Sequence, residues 1–396
     1  MREIKNVDIK DMKKYEAKDI FSGEKLKNAV SDALKKVDYM METLGDKFAA
    51  SASKNNVYEA VDNLSYPDWN QGFWSGILWL SWELTGEDKY KELALSHLSS
   101  FRQRIVEKHG VNHHDMGFLY TPSCVAAYRL TGNEYAKETA LLAADNLLSR
   151  FHEKGGFIQA WGDLGAPENY RLIVDCLLNV PLLYWATEIT GDEKYKKAGY
   201  THFRTTLENA IREDATTYHT FYFDPQTGAP VKGVTAQGVS DDSCWARGQA
   251  WGIYGLIMTA KYIKDPDAVE LCRKLTNSFL NRLPKDYVPF WDMVFTDGAD
   301  EPRDSSSSAI AVCGMLELIK YLSADATQVY KNAVGLIMDS LYENYSTKDT
   351  PHSNGLLLHA TYSKPHGNGV DECNIWGCYF YMEALTRLSK DWKMYW

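Results

Sequence analysis

Two hydrophobic patterns alternate along the chain. In the first, small, apolar and aromatic residues continue with no polar face, as in residues 72–81 and 175–184. Such segments predict helices buried on all sides. In the second, apolar residues recur at helical spacing with charges between them, as in residues 90–98. This second pattern predicts amphipathic helices that cover the first kind.

A Thr-Gly pair marks three boundaries between the two patterns, at Gly86, Gly132 and Gly191. Glycine readily adopts the left-handed conformation that ends a helix. The Glu, Asn or Asp after each glycine favours the start of the next helix, because its side chain complements the free N–H groups there. Weaker copies of the unit follow, which gives six buried and six amphipathic helices.

Such a repeat can stack as an open solenoid or close into a barrel. A solenoid leaves one helix layer half exposed and polar, whereas the buried segments here are apolar or aromatic nearly all round. The pattern therefore favours an all-α fold, an (α/α)6 barrel of six inner and six outer helices. We expect residues 1–20 to form an N-terminal arm and residues 21–396 a single barrel domain, because no Pro/Gly/Ser-rich linker interrupts the helical units.

Charge and cysteine usage narrow the class of protein. The chain has 43 Lys and Arg against 53 Asp and Glu, a net charge of −10, which argues against a nucleic-acid partner. Its charged N-terminus is unlike a signal peptide, and no apolar run is long enough to span a membrane. The seven cysteines are odd in number and lie mostly in apolar stretches, which indicates reduced thiols. We expect a cytoplasmic protein, a monomer or weak homodimer, with no membrane partner.

Aromatic residues point to a class of ligand. They make up 13% of the chain and include 12 Trp and 25 Tyr, many of them next to polar residues. Sugar rings stack on aromatic planes and form hydrogen bonds with neighbouring polar groups, so the mixture indicates a carbohydrate cleft. The alternative is that these aromatic residues are structural parts of the barrel.

The segments that precede the buried helices are the richest in polar and aromatic residues, and in a barrel they meet on one rim. Helix N-termini that converge there favour an anionic ligand. Asp175 lies in this set, with no other charge between Leu172 and Ala186. An apolar setting raises the pKa of a carboxyl group and suits it to act as a general acid. Asp115 is the second candidate carboxylate.

Each candidate also has a structural interpretation. Asp175 could cap a neighbouring loop, and Asp115 could be a helix N-cap. His113 and His114 beside Asp115 lack a further ligand at metal-binding spacing, so we expect no metal and no cofactor. Arg247 on a buried helix either pairs with an aspartate or receives a substrate carboxylate.

These segments resemble glycoside hydrolase family 88, which was founded on unsaturated glucuronyl hydrolase activity. The similar segments are residues 69–76, 114–118, 173–175 and 245–252, in the same order and spacing. The resemblance covers nearly the whole chain and implies an (α/α)6 barrel. It also implies substrates with a 4,5-unsaturated uronic acid at the non-reducing end, and a reaction that begins with hydration of the ring double bond.

The resemblance assigns roles to particular residues. Asp175 is the acid/base, and Asp115 is the second aspartate, which contacts sugar hydroxyls. Contacts near the double bond and the carboxylate are implied for His114, His219, Gln237 and Arg247. Aromatic walls are implied for Trp69, Phe73, Trp161 and Trp251. The segment predicted to lie over the second sugar includes Tyr362, Ser363, Lys364 and His366, and whether it contacts a sulfate is left open.

The expected function is therefore release of 4,5-unsaturated glucuronic acid from lyase-generated glycosaminoglycan oligosaccharides of the chondroitin or hyaluronan type. The nearest alternative is an unsaturated rhamnogalacturonyl hydrolase that acts on pectin fragments, which paired assays would separate. A remote alternative is a non-catalytic α-solenoid that binds other proteins. That alternative predicts an exposed concave face and has no use for Asp175 within an apolar stretch.

Overall fold

The computed structural model describes residues 4–396, and helices dominate it. The helices of the described residues are α1 Gly23–Leu44, α2 Gly72–Thr85, α3 Asp88–Ser96, α4 Leu98–Val106, α5 Met116–Tyr120, α6 Ala126–Thr131, α7 Glu134–Leu148, α8 Pro181–Thr190, α9 Glu193–Asn209, α10 Ala246–Ile263, α11 Pro266–Leu280, α12 Ser305–Leu318, α13 Ala324–Ser340 and α14 Ile375–Ser389. The strands are β1 Phe48–Ala49, β2 Ala60–Val61, β3 Phe151–His152, β4 Phe157–Ile158, β5 Arg171–Ile173, β6 Thr220–Phe223, β7 Pro230–Val234, β8 Ala360–Ser363 and β9 Asn368–Glu372.

The inner helices form a closed ring. In order they are α2, the helix that α5 and α6 build with a π-helical turn at Thr121–Val125, α8 with the 3-10 turn Val174–Leu178 before it, α10, α12 and α14. Each packs against the next, and α14 packs against α2. This closure confirms the predicted (α/α)6 barrel, since the first and last units of an open solenoid do not touch.

The outer helices are α1, α3 with α4, α7, α9, α11 and α13, and each covers inner helices. In α1 the residues Ala29, Ala33, Val37, Met40 and Leu44 are buried at helical spacing. Full burial of a side chain such as Val37 or Leu44 stabilises the fold by roughly 1.5–3 kcal/mol. The inner helix α10, in contrast, is buried at every position from Ala246 to Ala260, as the two hydrophobic patterns predict.

The Thr-Gly boundaries have the predicted geometry. Gly86, Gly132 and Gly191 have φ of 75°, 72° and 74°, and their N–H groups donate to carbonyls of the preceding helix. Asn133 and Asp192 accept hydrogen bonds from N–H groups of the helices that follow. These caps turn the chain from each inner helix to the next outer helix.

The lower end of the barrel is closed by the residues that follow α14. The indole of Trp396 stacks on Phe380, with 6.0 Å between ring centroids, and its edge faces Phe118 and Tyr254. Its Nε1 donates to Glu383 over 2.9 Å. The ring therefore packs against three of the inner helices.

Glu383 is the centre of a buried polar network at this end. It also accepts hydrogen bonds from Tyr254 and, over 2.9 Å, from Arg387 Nε. Arg387 in turn lies 3.1 Å from Glu317 Oε2. Within this network each buried charge faces an opposite charge.

Residues before α1 lie against α11 and its C-terminal end. Asn277 donates to the carbonyl of Val7 over 2.8 Å, and Tyr15 donates to that of Leu280 over 2.7 Å. The predicted arm covers residues 1–20, of which 1–3 lie outside the described residues.

Two further features of the described chain bear on its class. Its seven cysteines are all buried and unpaired. Across residues 4–396, none of the helices combines the length and the apolar character that crossing a bilayer requires.

Candidate active site

A cavity of about 300 Å³ opens at the rim where the inner helices begin. Inner-helix N-termini, the β5–β6–β7 sheet and the β8–β9 hairpin surround it. Its lining residues are Trp69, His114, Asp115, Trp161, Arg171, Ile173, Asp175, His219, Ala236, Gln237, Trp245, Arg247, Tyr362, Ser363, His366 and Asn368.

The cavity brings together both candidate carboxylates and most of the other residues predicted for the site. Three predicted contacts do not line it. Phe73 and Trp251 are fully buried, and Lys364 lies outside the cavity. The lining residues that the sequence interpretation did not select include Arg171, Trp245 and Asn368.

Asp175 is positioned by a short strand and a tight turn. Ile173 in β5 pairs with Thr220 in β6, and the next residue, Val174, donates its N–H to the carbonyl of His219 over 3.0 Å. Asp175 then lies in the first turn of the 3-10 segment Val174–Leu178. The sheet therefore fixes Asp175 and His219 next to each other.

The surroundings of Asp175 keep its carboxyl group protonated. Burial raises the pKa of Asp175 to about 8, the negative charge of Asp115 adds to this rise, and Arg247 opposes it. Its Oδ1 is buried and accepts no hydrogen bond from any described residue. At neutral pH this group is an acid with a proton to give.

Asp115 has the opposite environment. Its Oδ2 lies 3.2 Å from His113 Nδ1, and its Oδ1 lies 3.3 Å from His114 Nε2 and accepts a hydrogen bond from Asn179 Nδ2 over 3.3 Å. Burial opposes ionisation, but His114, His113 and Asn179 together lower the pKa of Asp115 below 3.8. The side chain makes no N-cap hydrogen bond to α5, so this alternative role is not the one observed.

Asn179 joins the two aspartates and was not predicted. Its Oδ1 accepts the N–H of Phe118 over 2.8 Å, while its Nδ2 reaches both Asp115 Oδ1 and the carbonyl of Asp175. This contact requires Gly117, because a Cβ there would lie 2.5 Å from the Cα of Asn179. An amide within the otherwise apolar stretch before Pro181 is the sequence signal that could have identified it.

Two histidines on the cavity wall are neutral. Burial lowers the pKa of His114 to about 4, and that of His219 to about 3, where the charge of Arg247 adds to the effect. His219 Nδ1 lies 2.7 Å from the hydroxyl of Thr220, and its ring meets the face of Trp245 edge-on. Neutral imidazoles of this kind can form hydrogen bonds with sugar hydroxyls without adding charge.

Arg247 pairs with Asp304, which is the first of the two alternatives left by the sequence. Its Nη1 donates to Asp304 Oδ2 over 2.8 Å and to the carbonyl of Thr361 over 2.6 Å. Its Nη2 donates to Gln237 Oε1 over 2.8 Å and to the carbonyl of Tyr362 over 2.6 Å. Both members of the ion pair are buried, although one face of Arg247 still lines the cavity.

The aromatic residues divide into walls and supports. Trp69 donates to the hydroxyl of Tyr362 over 2.8 Å, and Trp161 is 38% exposed and stacks on His113. Phe73 and Trp251, in contrast, pack against Phe118 beneath the floor of the cavity. Their predicted role as walls is corrected to one of support, because each lies one turn too deep.

The β8–β9 hairpin forms the outer wall. Ser363 Oγ lies 2.7 Å from His366 Nδ1, and Asn368 lines the cavity beside them. The ammonium group of Lys364 instead lies 4.0 Å from Glu301. Lys364 was predicted to contact the second sugar, but its side chain does not line the cavity and lies near an acidic neighbour instead.

Metal-binding geometry is a separate question. Within residues 4–396, His, Cys, Asp and Glu side chains form no group of three or more arranged to hold an ion. Asp115 and Asp175 are the two carboxyl groups that line the cavity.

A protonated carboxyl group and an ionised carboxylate that face one cavity form a pair of the kind that most glycoside hydrolases use. Comparison with known sequences agrees, because the family model described as Glycosyl Hydrolase Family 88 matches residues 35–386. The chain belongs to this family.

Individual relatives are similar over their full length. An unsaturated chondroitin disaccharide hydrolase of Streptococcus pneumoniae is 47% identical over 98% of both chains. The crystal structure of unsaturated glucuronyl hydrolase from Streptococcus agalactiae has 46% identity and a TM-score of 0.97, with 100% of both chains covered. An Asp-to-Asn variant of that enzyme, complexed with dGlcA-GalNAc6S, superposes with a TM-score of 0.89 at 42% identity, again over 100% of both chains.

Proposed function

We propose that this enzyme releases the 4,5-unsaturated glucuronic acid from the non-reducing end of glycosaminoglycan oligosaccharides produced by lyases. Relatives that are nearly half identical are named for chondroitin disaccharides. The complex of the Streptococcus agalactiae variant holds an unsaturated disaccharide of this class. Both facts favour chondroitin-type or hyaluronan-type substrates.

One observation carries the chemical part of the proposal. Asp175, with its pKa raised to about 8, faces the same cavity as an Asp115 whose pKa is lowered. An enol ether is protonated at carbon, and this step needs an acid that still holds its proton at neutral pH. Asp175 meets that requirement, and Asp115 does not.

The reaction then proceeds by hydration. The proton of Asp175 passes to C4 of the sugar, and the electron pair of the ring oxygen stabilises the cation at C5. Water adds to C5 and gives its proton to the Asp175 carboxylate. The sugar is then a hemiketal at C5. The C5–O5 bond opens to a ketone, and the resulting hemiacetal at C1 expels the next sugar as an alcohol.

Other groups in the cavity orient the unsaturated sugar. Asp115 accepts hydrogen bonds from its ring hydroxyls, in keeping with an ionised carboxylate. Arg247 supplies positive charge near the substrate carboxylate, while its Nη groups stay bound to protein acceptors. Gln237 offers its Oε1 to Arg247, which leaves its amide N–H groups to donate to the sugar.

The second sugar lies against the β8–β9 hairpin. There the cavity presents a hydroxyl, an imidazole and an amide, from Ser363, His366 and Asn368. Lys364 is held near Glu301, so it does not neutralise a sulfate in the cavity. We therefore expect kcat/KM for the unsulfated disaccharide to equal or exceed that for the 6-sulfated one.

The test is loss of the ultraviolet absorbance of the conjugated double bond. Native protein mixed with lyase-made chondroitin disaccharide should bleach it, and Asp175→Asn should slow the loss by about a thousandfold. A pectin-derived unsaturated disaccharide, assayed in parallel, should be a poor substrate. Persistent absorbance with the native protein would contradict the proposal.

The setting of the enzyme is part of the same proposal. Buried, unpaired thiols suit a reducing compartment, so we place the enzyme in the cytoplasm, as a monomer or weak homodimer. We further propose that residues 21–396 act as one catalytic domain, with residues 1–20 as an arm. Cell fractionation tests the cytoplasmic location, and size-exclusion chromatography tests the oligomeric state. Limited proteolysis tests the division into an arm and one domain.

A further inference from the structure

Arg247 links three parts of the rim. From the first turn of α10 it donates to the carbonyls of Thr361 and Tyr362, which belong to β8. It also holds Gln237, in the loop after β7, and Asp304, directly before α12. One guanidinium group therefore connects the substrate-facing hairpin to α10 and to the segment before α12.

Asp304 holds the same hairpin from the other side. Its Oδ2 accepts from Arg247, and its Oδ1 accepts from the hydroxyl of Ser306 over 2.5 Å and from the N–H of Thr361 over 3.5 Å. The next residue, Ser305, donates its N–H to the carbonyl of His359 and its hydroxyl to that of Leu358. Asp304 thus lies where α10, α12 and the hairpin meet.

Burial makes this arrangement sensitive to loss of charge. Both Asp304 and Arg247 are almost inaccessible to solvent. A buried arginine is costly without a compensating anion, and its uncompensated field extends further in a low-dielectric site. Asp304 itself does not line the cavity, so any effect on the reaction must pass through Arg247 or the hairpin.

We propose that Asp304 is a positioning residue of the hydrolase reaction, which holds Arg247 and the β8–β9 hairpin as one unit and offsets the charge of Arg247 beside Asp175. This inference rests on the proposed function. Loss of Asp304 should have two separate consequences. Movement of the hairpin should weaken substrate binding, and the uncompensated charge of Arg247 should alter proton transfer from Asp175.

The charge effect has a definite sign. The titratable side chains that line the cavity with Asp175 are His114, Asp115, Arg171, His219, Arg247, Tyr362 and His366, and the buried thiol of Cys176 is adjacent along the chain. Arg247 is the cation that lowers the pKa of Asp175. Loss of the Asp304 charge leaves Arg247 uncompensated, which lowers that pKa further, so activity should decline at a lower pH on the alkaline side.

The experiment compares Asp304→Asn with the native enzyme on unsaturated chondroitin disaccharide between pH 5 and 10. KM should rise about tenfold, and the alkaline limb of kcat/KM should move about half a pH unit or more toward acid. Arg247→Met should move the limb in the opposite direction. In the double variant, removal of the Asp304 charge should add no further shift.

Asp292→Asn is the matched control. Asp292 is equally buried at the rim and accepts hydrogen bonds from Val239 and Ser243, yet it has no contact with Arg247 in the described structure. Its KM and alkaline limb should stay within twofold and about 0.2 pH units of the native values. Equal changes in both variants, or no change in Asp304→Asn, would overturn the positioning role.

Two further measurements cover the remaining outcomes. If Asp304→Asn does not fold, Ser306→Ala should raise KM about threefold with the alkaline limb unchanged, because it removes one hydrogen bond to Asp304 and keeps its charge; an unchanged KM would overturn the proposal. If the native protein bleaches no unsaturated disaccharide, the proposed function alone fails. A crystal structure of Asp304→Asn then tests the positioning role of Asp304 without an activity assay. The guanidinium of Arg247 should no longer bind the carbonyls of Thr361 and Tyr362, and an unmoved guanidinium would refute that role.

Discussion

The two ends of the barrel both bury carboxyl groups among apolar inner helices, but they surround them differently. At the lower end, Glu383 accepts hydrogen bonds from Tyr254, Arg387 and Trp396. At the rim, Asp175 has a buried oxygen that accepts no hydrogen bond from any described residue. The lower carboxylate is compensated, whereas the upper carboxyl group keeps its proton.

This difference separates stability from chemistry. A buried ion pair whose hydrogen bonds are satisfied contributes to one defined packing, and removal of one partner is strongly destabilising. A buried acid without a partner makes the folded state less stable where the group would otherwise ionise. We infer that Asp175 lowers the stability of the folded enzyme and in return keeps its proton as an acid. The Glu383 network at the lower end keeps the inner helices in one fixed packing.

The largest effect that tests this comparison is expected from Asp175→Asn. Activity should fall about a thousandfold, while the free energy of unfolding should rise by about 2 kcal/mol at pH 7. Urea denaturation and the absorbance assay measure the two quantities. Loss of activity together with loss of stability would mean that Asp175 is structural.

The pH dependence of that gain checks its origin. The folded-state pKa of Asp175 is raised to about 8 from a reference value of 3.8. Ionisation therefore favours the unfolded chain as the pH rises between these values. The stability of Asp175→Asn should exceed that of the native enzyme increasingly from pH 4 to pH 8, and should match it below pH 4.

Glu383→Ala tests the opposite end. It removes the acceptor of three buried donors, so the protein should lose about 3–5 kcal/mol of unfolding free energy. KM should remain within twofold for the folded fraction. Glu134→Ala is the control, since Glu134 pairs with Lys137 on an exposed surface and its loss should cost under about 0.5 kcal/mol. A KM change in Glu383→Ala would show that the two ends are coupled.

The pH profile of the native enzyme sharpens the contrast within the rim. The proposed mechanism needs Asp175 protonated and Asp115 ionised, so kcat/KM should fall about tenfold per pH unit above pH 8. On the acid side it should fall only near or below pH 4, because the pKa of Asp115 is lowered from 3.8. A plateau that extends beyond pH 9 would remove Asp175 from the acid role.

Trp161→Ala gives a smaller effect at the rim. Its indole is partly exposed in the cavity wall, so loss of a stacking surface should raise KM about fivefold with little change in stability. Tyr66→Ala, an exposed aromatic outside the cavity, is the matched control. Equal effects in the two variants would contradict a sugar-stacking role for Trp161.

Lys364→Ala should have the smallest effect. Its side chain is 41% exposed and lies near Glu301, outside the cavity lining, so KM for unsulfated and 6-sulfated disaccharides should change less than about twofold. A selective loss with the sulfated substrate would instead show that Lys364 turns inward when substrate binds.

Most of the architecture could be predicted from hydrophobic periodicity, because inner and outer helices differ in which faces they bury. The short strands could not, since segments of two to five residues such as β5 have no measurable period. Nor could the π-helical turn at Thr121–Val125, whose proline interrupts the regular hydrogen bonding of the second inner helix. Such local features depend on contacts formed after the barrel closes.

A site residue could be predicted where its side chain differs in polarity from the residues around it in the sequence. Asp175 stands out as a carboxyl group in an aliphatic stretch, whereas Asp304 is 57 residues from the arginine that it pairs with and has no signal of its own. Phe73 and Trp251 were predicted to be walls from the family resemblance alone, and an inner helix is apolar along its whole length. Its sequence does not reveal which turn reaches the cavity.

Closure of the ring by α14 also constrains how the chain can be made. The first inner helix, α2, packs against α14, which is translated about three hundred residues later. Contacts between such distant parts of a chain slow folding. Before α14 has been synthesised, aromatic side chains of the inner helices remain exposed on the ribosome. Exposed apolar surface of this kind promotes association with other nascent chains. We expect synthesis of this enzyme to depend on chaperones to a degree that the stability of the finished barrel does not reveal.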